Sequence, residues 1–132
     1  MSSDDTQVLT GRCLCGACRF ELTGPHNFVG HCHCESCRRA TASPMTTWIG
    51  QENGSWRFTG IEPTRFFSSP GNERGFCPKC GSPMFFRADR FPNEVHFYAA
   101  LLDDPEAVTP AAQYHFDEVL SWMHLADGPP PK

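Results

Sequence analysis

Eight cysteines stand in 132 residues, in three tight clusters: Cys13-Leu14-Cys15-Gly16-Ala17-Cys18, Cys32-His33-Cys34-Glu35-Ser36-Cys37 and Cys77-Pro78-Lys79-Cys80. Thiols one or two residues apart rarely reach the Cα separation of roughly 5.5–6 Å, or the Cβ directions, that a disulfide needs. The same spacing suits a tetrahedral zinc ion, which takes two thiolates from one turn and two from another. Residues two apart on an extended chain point to the same side, so Cys13 and Cys15 can face one metal. Cys77-Pro78-Lys79-Cys80-Gly81 reads as a knuckle, a tight turn whose N–H groups stabilise two thiolates and whose glycine lets the backbone close. Cys13, Cys15, Cys77 and Cys80 therefore make a closed four-thiolate set, the pattern of a structural zinc coupled to folding. Cys18 has the other parity. It shares a face with Phe20 and Leu22 and is expected in the core, as a small hydrophobe.

Cys32, Cys34 and Cys37 have no fourth cysteine. Three protein ligands with an open position is the pattern of a zinc that meets substrate. A second structural site, completed by His31, His33 or His115, is the competing arrangement. Parity weighs against His33, which points away from Cys32 and Cys34 if that stretch is extended.

These side chains need a scaffold of short segments. Eleven phenylalanines and three tryptophans supply bulk for a core, while 12 prolines and 11 glycines divide the chain, which points to one β-rich domain with many turns. Strands are expected over Ala17–Leu22, Thr46–Ile49, Trp56–Thr59, Thr64–Ser68, Met84–Arg87 and Val95–Ala99, where alternation or β-branched and aromatic residues concentrate. Glu35–Thr41 can hold one or two helical turns, and Asp103-Asp104-Pro105-Glu106 resembles a turn or helix start. Phe116, Val119, Leu120 and Met123 fit the spacing of an amphipathic helix. The expected organisation is a flexible N-terminus over 1–10, a single zinc-binding domain over 11–128 and a Pro-rich tail over 129–132.

The formal charge is −4, and seven thiolates carrying two Zn²⁺ would take it to −7. Such a chain has no overall basic field for nucleic acid or an anionic membrane surface. The polar, acidic start lacks the pattern of a signal peptide, and no run approaches the roughly 18 apolar residues of a membrane span. A reducing, cytoplasmic setting is expected, in which clustered cysteines bind metal.

In this order, the clusters resemble the glutathione-dependent formaldehyde-activating enzyme family, which also includes the centromere protein V domain. The likeness runs from Gly11-Arg12-Cys13-Leu14-Cys15-Gly16-Ala17 through Cys32-His33-Cys34-Glu35-Ser36-Cys37-Arg38. It continues with Arg65-Phe66, Ser68-Ser69-Pro70-Gly71 and Arg74-Gly75-Phe76-Cys77-Pro78-Lys79-Cys80-Gly81-Ser82, and ends at His115-Phe116, Trp122 and Asp127-Gly128-Pro129. The resemblance implies a mainly β fold of the β-tent type with minimal helix, and zinc held between sheets. It implies two zinc ions per chain: a structural one on Cys13, Cys15, Cys77 and Cys80, and a labile, less fully occupied one on Cys32, Cys34 and Cys37. It also shifts the C-terminal segment toward extended structure with a brief helical turn.

The activity implied is that of a carbon–sulfur lyase, such as S-hydroxymethylglutathione synthase, acting on a small aldehyde and a thiol such as glutathione. An open zinc suits it, because a thiol entering the fourth position loses its proton and can attack a carbonyl carbon. Three thiolates on Zn²⁺ already leave a net negative charge, so a further anionic sulfur needs compensation. Arg38 and Arg39, beside Cys37, are the nearest cations in sequence and the candidate substrate-binding residues. The alternative is a non-catalytic, zinc-stabilised protein-binding module.

Overall fold

Two sheets divide the strands, and their faces decide which side chains meet. The computed structural model describes residues 7–125. The smaller sheet holds β1 (Val8–Arg12), β2 (Arg19–Thr23) and β5 (Trp56–Phe58), in the order β1-β2-β5. The larger one holds β3 (Phe28–Cys32), β4 (Thr46–Glu52), β6 (Thr64–Ser69), β7 (Asn72–Phe76), β8 (Pro83–Ala88), β9 (Glu94–Tyr98) and β10 (Ala112–Tyr114). Its order is β10-β3-β4-β9-β8-β7-β6, antiparallel throughout except where β10 runs parallel to β3. One α-helix, α1 (Glu35–Thr41), and 3-10 turns at Ala99–Leu101, Pro105–Ala107 and Phe116–Glu118 complete the described residues. The domain is mainly β, as expected.

Alternation along the large sheet sorts its residues into two layers. Ile49, Phe85, Val95 and Phe97 face the small sheet and pack with Leu9, Cys18, Phe20 and Leu22 in the principal core. Trp48, Phe86 and Tyr98 point the other way and form a second apolar layer with Cys32 and Cys37. The register fixes this second face: Cys32 lies opposite Thr46, Trp48 opposite Tyr98, Phe86 opposite His96, and Arg74 opposite Phe86. Strands buried on both faces read as apolar runs, which is why β4, β8 and β9 stood out in the sequence. At Gly75 an added Cβ would lie 2.0 Å from the Phe85 ring, so only a glycine lets that ring cross β7.

Two expectations change at the ends of the domain. β1 begins at Val8, inside the segment expected to be flexible, because Leu9 is buried opposite Leu22 and anchors the strand. The amphipathic helix that Phe116, Val119, Leu120 and Met123 could form gives way to the extended segment with a brief helical turn that the resemblance implied. Phe116–Glu118 makes a single turn entered through a left-handed His115 (φ 55°), and Val119 returns to extended backbone. A short amphipathic stripe forms a stable helix only against a packing surface, and here the preceding backbone is committed to the β10–β3 pairing. Positions 1–6, Asp127-Gly128-Pro129 and the Pro-rich tail over 129–132 lie outside the described residues.

Candidate metal centres

The β1–β2 connection is a tight loop closed by Cys13 N–H to Cys18 O (3.0 Å) and Gly16 N–H to Cys13 O (3.2 Å). Gly16 takes φ 84°, a left-handed conformation that glycine adopts without strain. The knuckle between β7 and β8 closes in the same way, with Gly81 N–H donating to Cys77 O at 2.8 Å and Gly81 at φ 81°. The two turns face each other. Cys13, Cys15, Cys77 and Cys80 place their sulfurs within 4.8 Å of one another. Cys13 to Cys15 is 3.6 Å and Cys15 to Cys77 is 3.8 Å. Four sulfurs each about 2.3 Å from one centre would stand about 3.8 Å apart, so the set fits a tetrahedral zinc. All eight cysteines are free of disulfides.

Ser82 joins the turns, a role the sequence did not reveal. Its hydroxyl accepts from Leu14 N–H at 3.1 Å and lies 3.1 Å from Cys80 Sγ. Hydrogen bonding to the Ser82 side chain, then to backbone N–H groups, draws the Cys80 thiol down to about 5. Cys18 stands outside the four. It is fully buried, and burial first, then the neighbouring Cys77, pushes its thiol up to about 12. Cys18→Val, close in volume and apolar, should cost less than about 1.5 kcal/mol and leave zinc content unchanged. A melting curve with metal analysis checks this, and loss of a zinc would make Cys18 a ligand.

The second centre sits on the far face of the large sheet, where β3 runs into α1. Cys32 ends β3, Cys34 is the N-cap of α1 and accepts from Cys37 N–H at 3.4 Å, and Cys37 lies one turn along, 3.9 Å from Cys32. The three sulfurs lie within 4.8 Å of one another, and among the described residues no histidine or carboxylate joins them. Strand parity explains this. His31 points to the opposite face, with its Nδ1 2.9 Å from Thr47 Oγ1. His33 is wholly buried with Nε2 2.9 Å from Gln113 Oε1 and Phe116 against its ring. His115 is exposed, grouped with Asp117 and Glu118. Hydrogen bonds from the Cys32 and then the Cys34 thiols hold the Cys37 thiol far below the usual range, against its burial and with help from the Arg74 guanidinium.

The wall beside Cys37 is aromatic and carries one buried cation. Trp48 and Tyr98 stack at 4.1 Å, Trp48 lies 5.9 Å from Phe86, and the Arg74 guanidinium covers the Phe86 ring at 4.8 Å. Burial drives the Tyr98 phenol well above its ordinary pKa, so it stays protonated. The cations expected from the sequence, Arg38 and Arg39, follow Cys37 on α1. Arg39 is exposed and pairs with Glu35 at 2.8 Å. With Arg38 it lines a groove of about 440 Å³ that includes Ser43, Pro44, Leu120 and Trp122.

The fold matches a solved Rhodobacter sphaeroides protein, with a TM-score of 0.61 over 93% of this chain and 99% of that one, at 21% identity. A Halomonas elongata protein, named provisionally as a glutathione-dependent formaldehyde-activating enzyme, is 31% identical over 105 residues, or 73% of this chain. The chain spans 66% of that relative's length. An uncharacterised lyase of Schizosaccharomyces pombe is 29% identical over 108 residues, covering 82% of this chain and 78% of its own. The model of the glutathione-dependent formaldehyde-activating enzymes matches residues 8–118, a span that takes in both cysteine centres and the buried arginine. By that match, the chain belongs to the glutathione-dependent formaldehyde-activating enzyme family.

Proposed function

We propose that the protein is a zinc-dependent carbon–sulfur lyase that makes or breaks the adduct of a small aldehyde with a thiol such as glutathione. Its relatives' names support the lyase class. In the breaking direction, an S-hydroxymethyl thioether gives a free thiol and formaldehyde: the carbon–sulfur electron pair goes to sulfur, the oxygen forms the carbonyl, and the hydroxyl proton ends on the sulfur. Cys13, Cys15, Cys77 and Cys80 hold a closed, structural ion. Cys32, Cys34 and Cys37 hold the reactive one. A zinc ion in that second place supplies a Lewis-acidic position that favours thiolate over thiol.

The observation that carries this reading is the trio itself: three converging thiols whose neighbouring histidines, His31 and His33, are turned to the other side of the sheet. Trp48, Phe86 and Tyr98 keep the adjoining face dry, which strengthens charge interactions there. Arg38 and Arg39 bind the carboxylates of the thiol in the neighbouring groove. The buried, unpartnered Nε of Arg38 and the exposed indole of Trp122 support that assignment.

Zinc X-ray absorption on the purified protein, with and without glutathione, reads the trio directly. Sulfur coordination should rise when the thiol is added. A shell supplied wholly by the protein and unchanged by thiol would turn the reading to the binding module.

A further inference from the structure

Arg74 stands out as a buried guanidinium that no carboxylate pairs among the described residues. It lies on β7, is 6% exposed, and is held over the Phe86 ring with Nε donating to Ser68 Oγ at 3.2 Å. One terminal nitrogen, NH1, is buried and has no hydrogen-bond partner. Its neighbour Glu73 pairs with Arg65 and Arg87 instead, and among the described residues no carboxylate pairs with Arg74. A guanidinium does not deprotonate in a protein, and a buried donor nitrogen left without an acceptor is costly. Such a nitrogen persists where an acceptor is to meet it. Alternation along β7 puts Arg74 opposite Phe86, on the face that Phe86 shares with Tyr98, Cys32 and Cys37.

We propose that Arg74 is a substrate-binding residue whose free NH1 donates to the anionic sulfur of the thiol arriving beside Cys37. This rests on the function proposed above. Three thiolates with a divalent ion carry one net negative charge, and a fourth thiolate adds another. Arg74 is the buried cation on that face, whereas Arg39 stands in solvent beside Glu35. The planar fork also suits Arg here, because it can keep Ser68 on Nε while NH1 points at the newcomer.

Arg74→Met removes the charge while keeping an unbranched stem on Phe86, and Arg74→Gln keeps a donor without the charge. Both can be compared with the wild type, zinc-loaded, by calorimetric titration with glutathione, alongside melting temperature and zinc per chain. A charge-assisted hydrogen bond is worth roughly 10- to 100-fold in affinity, so either variant should bind glutathione that much more weakly, with Arg74→Lys recovering part of the loss. If one neutral variant fails to fold or to hold zinc, the other supplies the comparison. Should both fail, Arg74→Lys still reads the proposal, because the lost fork must weaken glutathione binding measurably. A folded, zinc-loaded variant with wild-type glutathione affinity overturns the role of Arg74 and leaves the proposed function standing. A wild type that binds no thiol overturns the function, and the inference with it.

Discussion

Cys77→Ser should give a chain that no longer unfolds cooperatively. Cys77 is fully buried, its sulfur lies 3.8 Å from Cys15 Sγ, and its N–H and carbonyl already brace the knuckle against Ser82 and Gly81. Structural zinc contributes an apparent 10–16 kcal/mol to small domains near neutral pH, against a total stability of roughly 5–15 kcal/mol. Weakening that one site therefore removes a share as large as the whole. Near-ultraviolet circular dichroism during heating, with zinc content measured in parallel, checks the outcome. A variant that is folded and free of this zinc would refute the structural assignment of Cys13, Cys15, Cys77 and Cys80.

Cys34→Ser should behave in the opposite way, abolishing activity while sparing the fold. Cys34 is only half-buried, at the N-cap of α1, and its partners Cys32 and Cys37 are its sequence neighbours. Removing it opens no long loop, and serine still caps a helix. We expect thiol–aldehyde turnover to fall at least about 100-fold, since losing a ligand costs more than losing an outer-shell contact to one. Zinc should fall by about one ion per chain while the melting transition stays cooperative. Full turnover in Cys34→Ser would separate the trio from the chemistry.

The cysteine groupings were legible because thiol spacing acts locally: parity on an extended chain, and a knuckle that closes on its own glycine. The apolar strands were legible for the same reason. β7 was not, because Asn72-Glu73-Arg74-Gly75-Phe76 has no strand character of its own and is held by β6 and β8 on either side. β3 was not, because Gly30 and His31 interrupt its pattern, while β4 and β10 supply its pairing. Arg74 reads in sequence as an ordinary surface cation. Its burial arises from tertiary contacts alone: the Ser68 hydroxyl on β6 and the Phe86 ring on β8. Arg38 and Arg39 were the candidates by adjacency to Cys37, and both line one groove with Leu120 and Trp122, a grouping that adjacency alone did not show.

The separation between Cys15 and Cys77 has a consequence during biosynthesis. The two thiols are 62 positions apart, so at ~5–20 residues per second a ribosome needs roughly 3–12 s to make the second after the first. In that interval Cys13-x-Cys15-x-x-Cys18 and Cys32-x-Cys34-x-x-Cys37 are the same local chelator, written twice. A metal ion meeting the nascent chain has no reason to prefer either. Only the arrival of the knuckle distinguishes them, by claiming Cys13 and Cys15 and leaving Cys18 to the core between the sheets. The finished protein thus holds two different cysteine groups made from one repeated word, and the order of translation decides when they part.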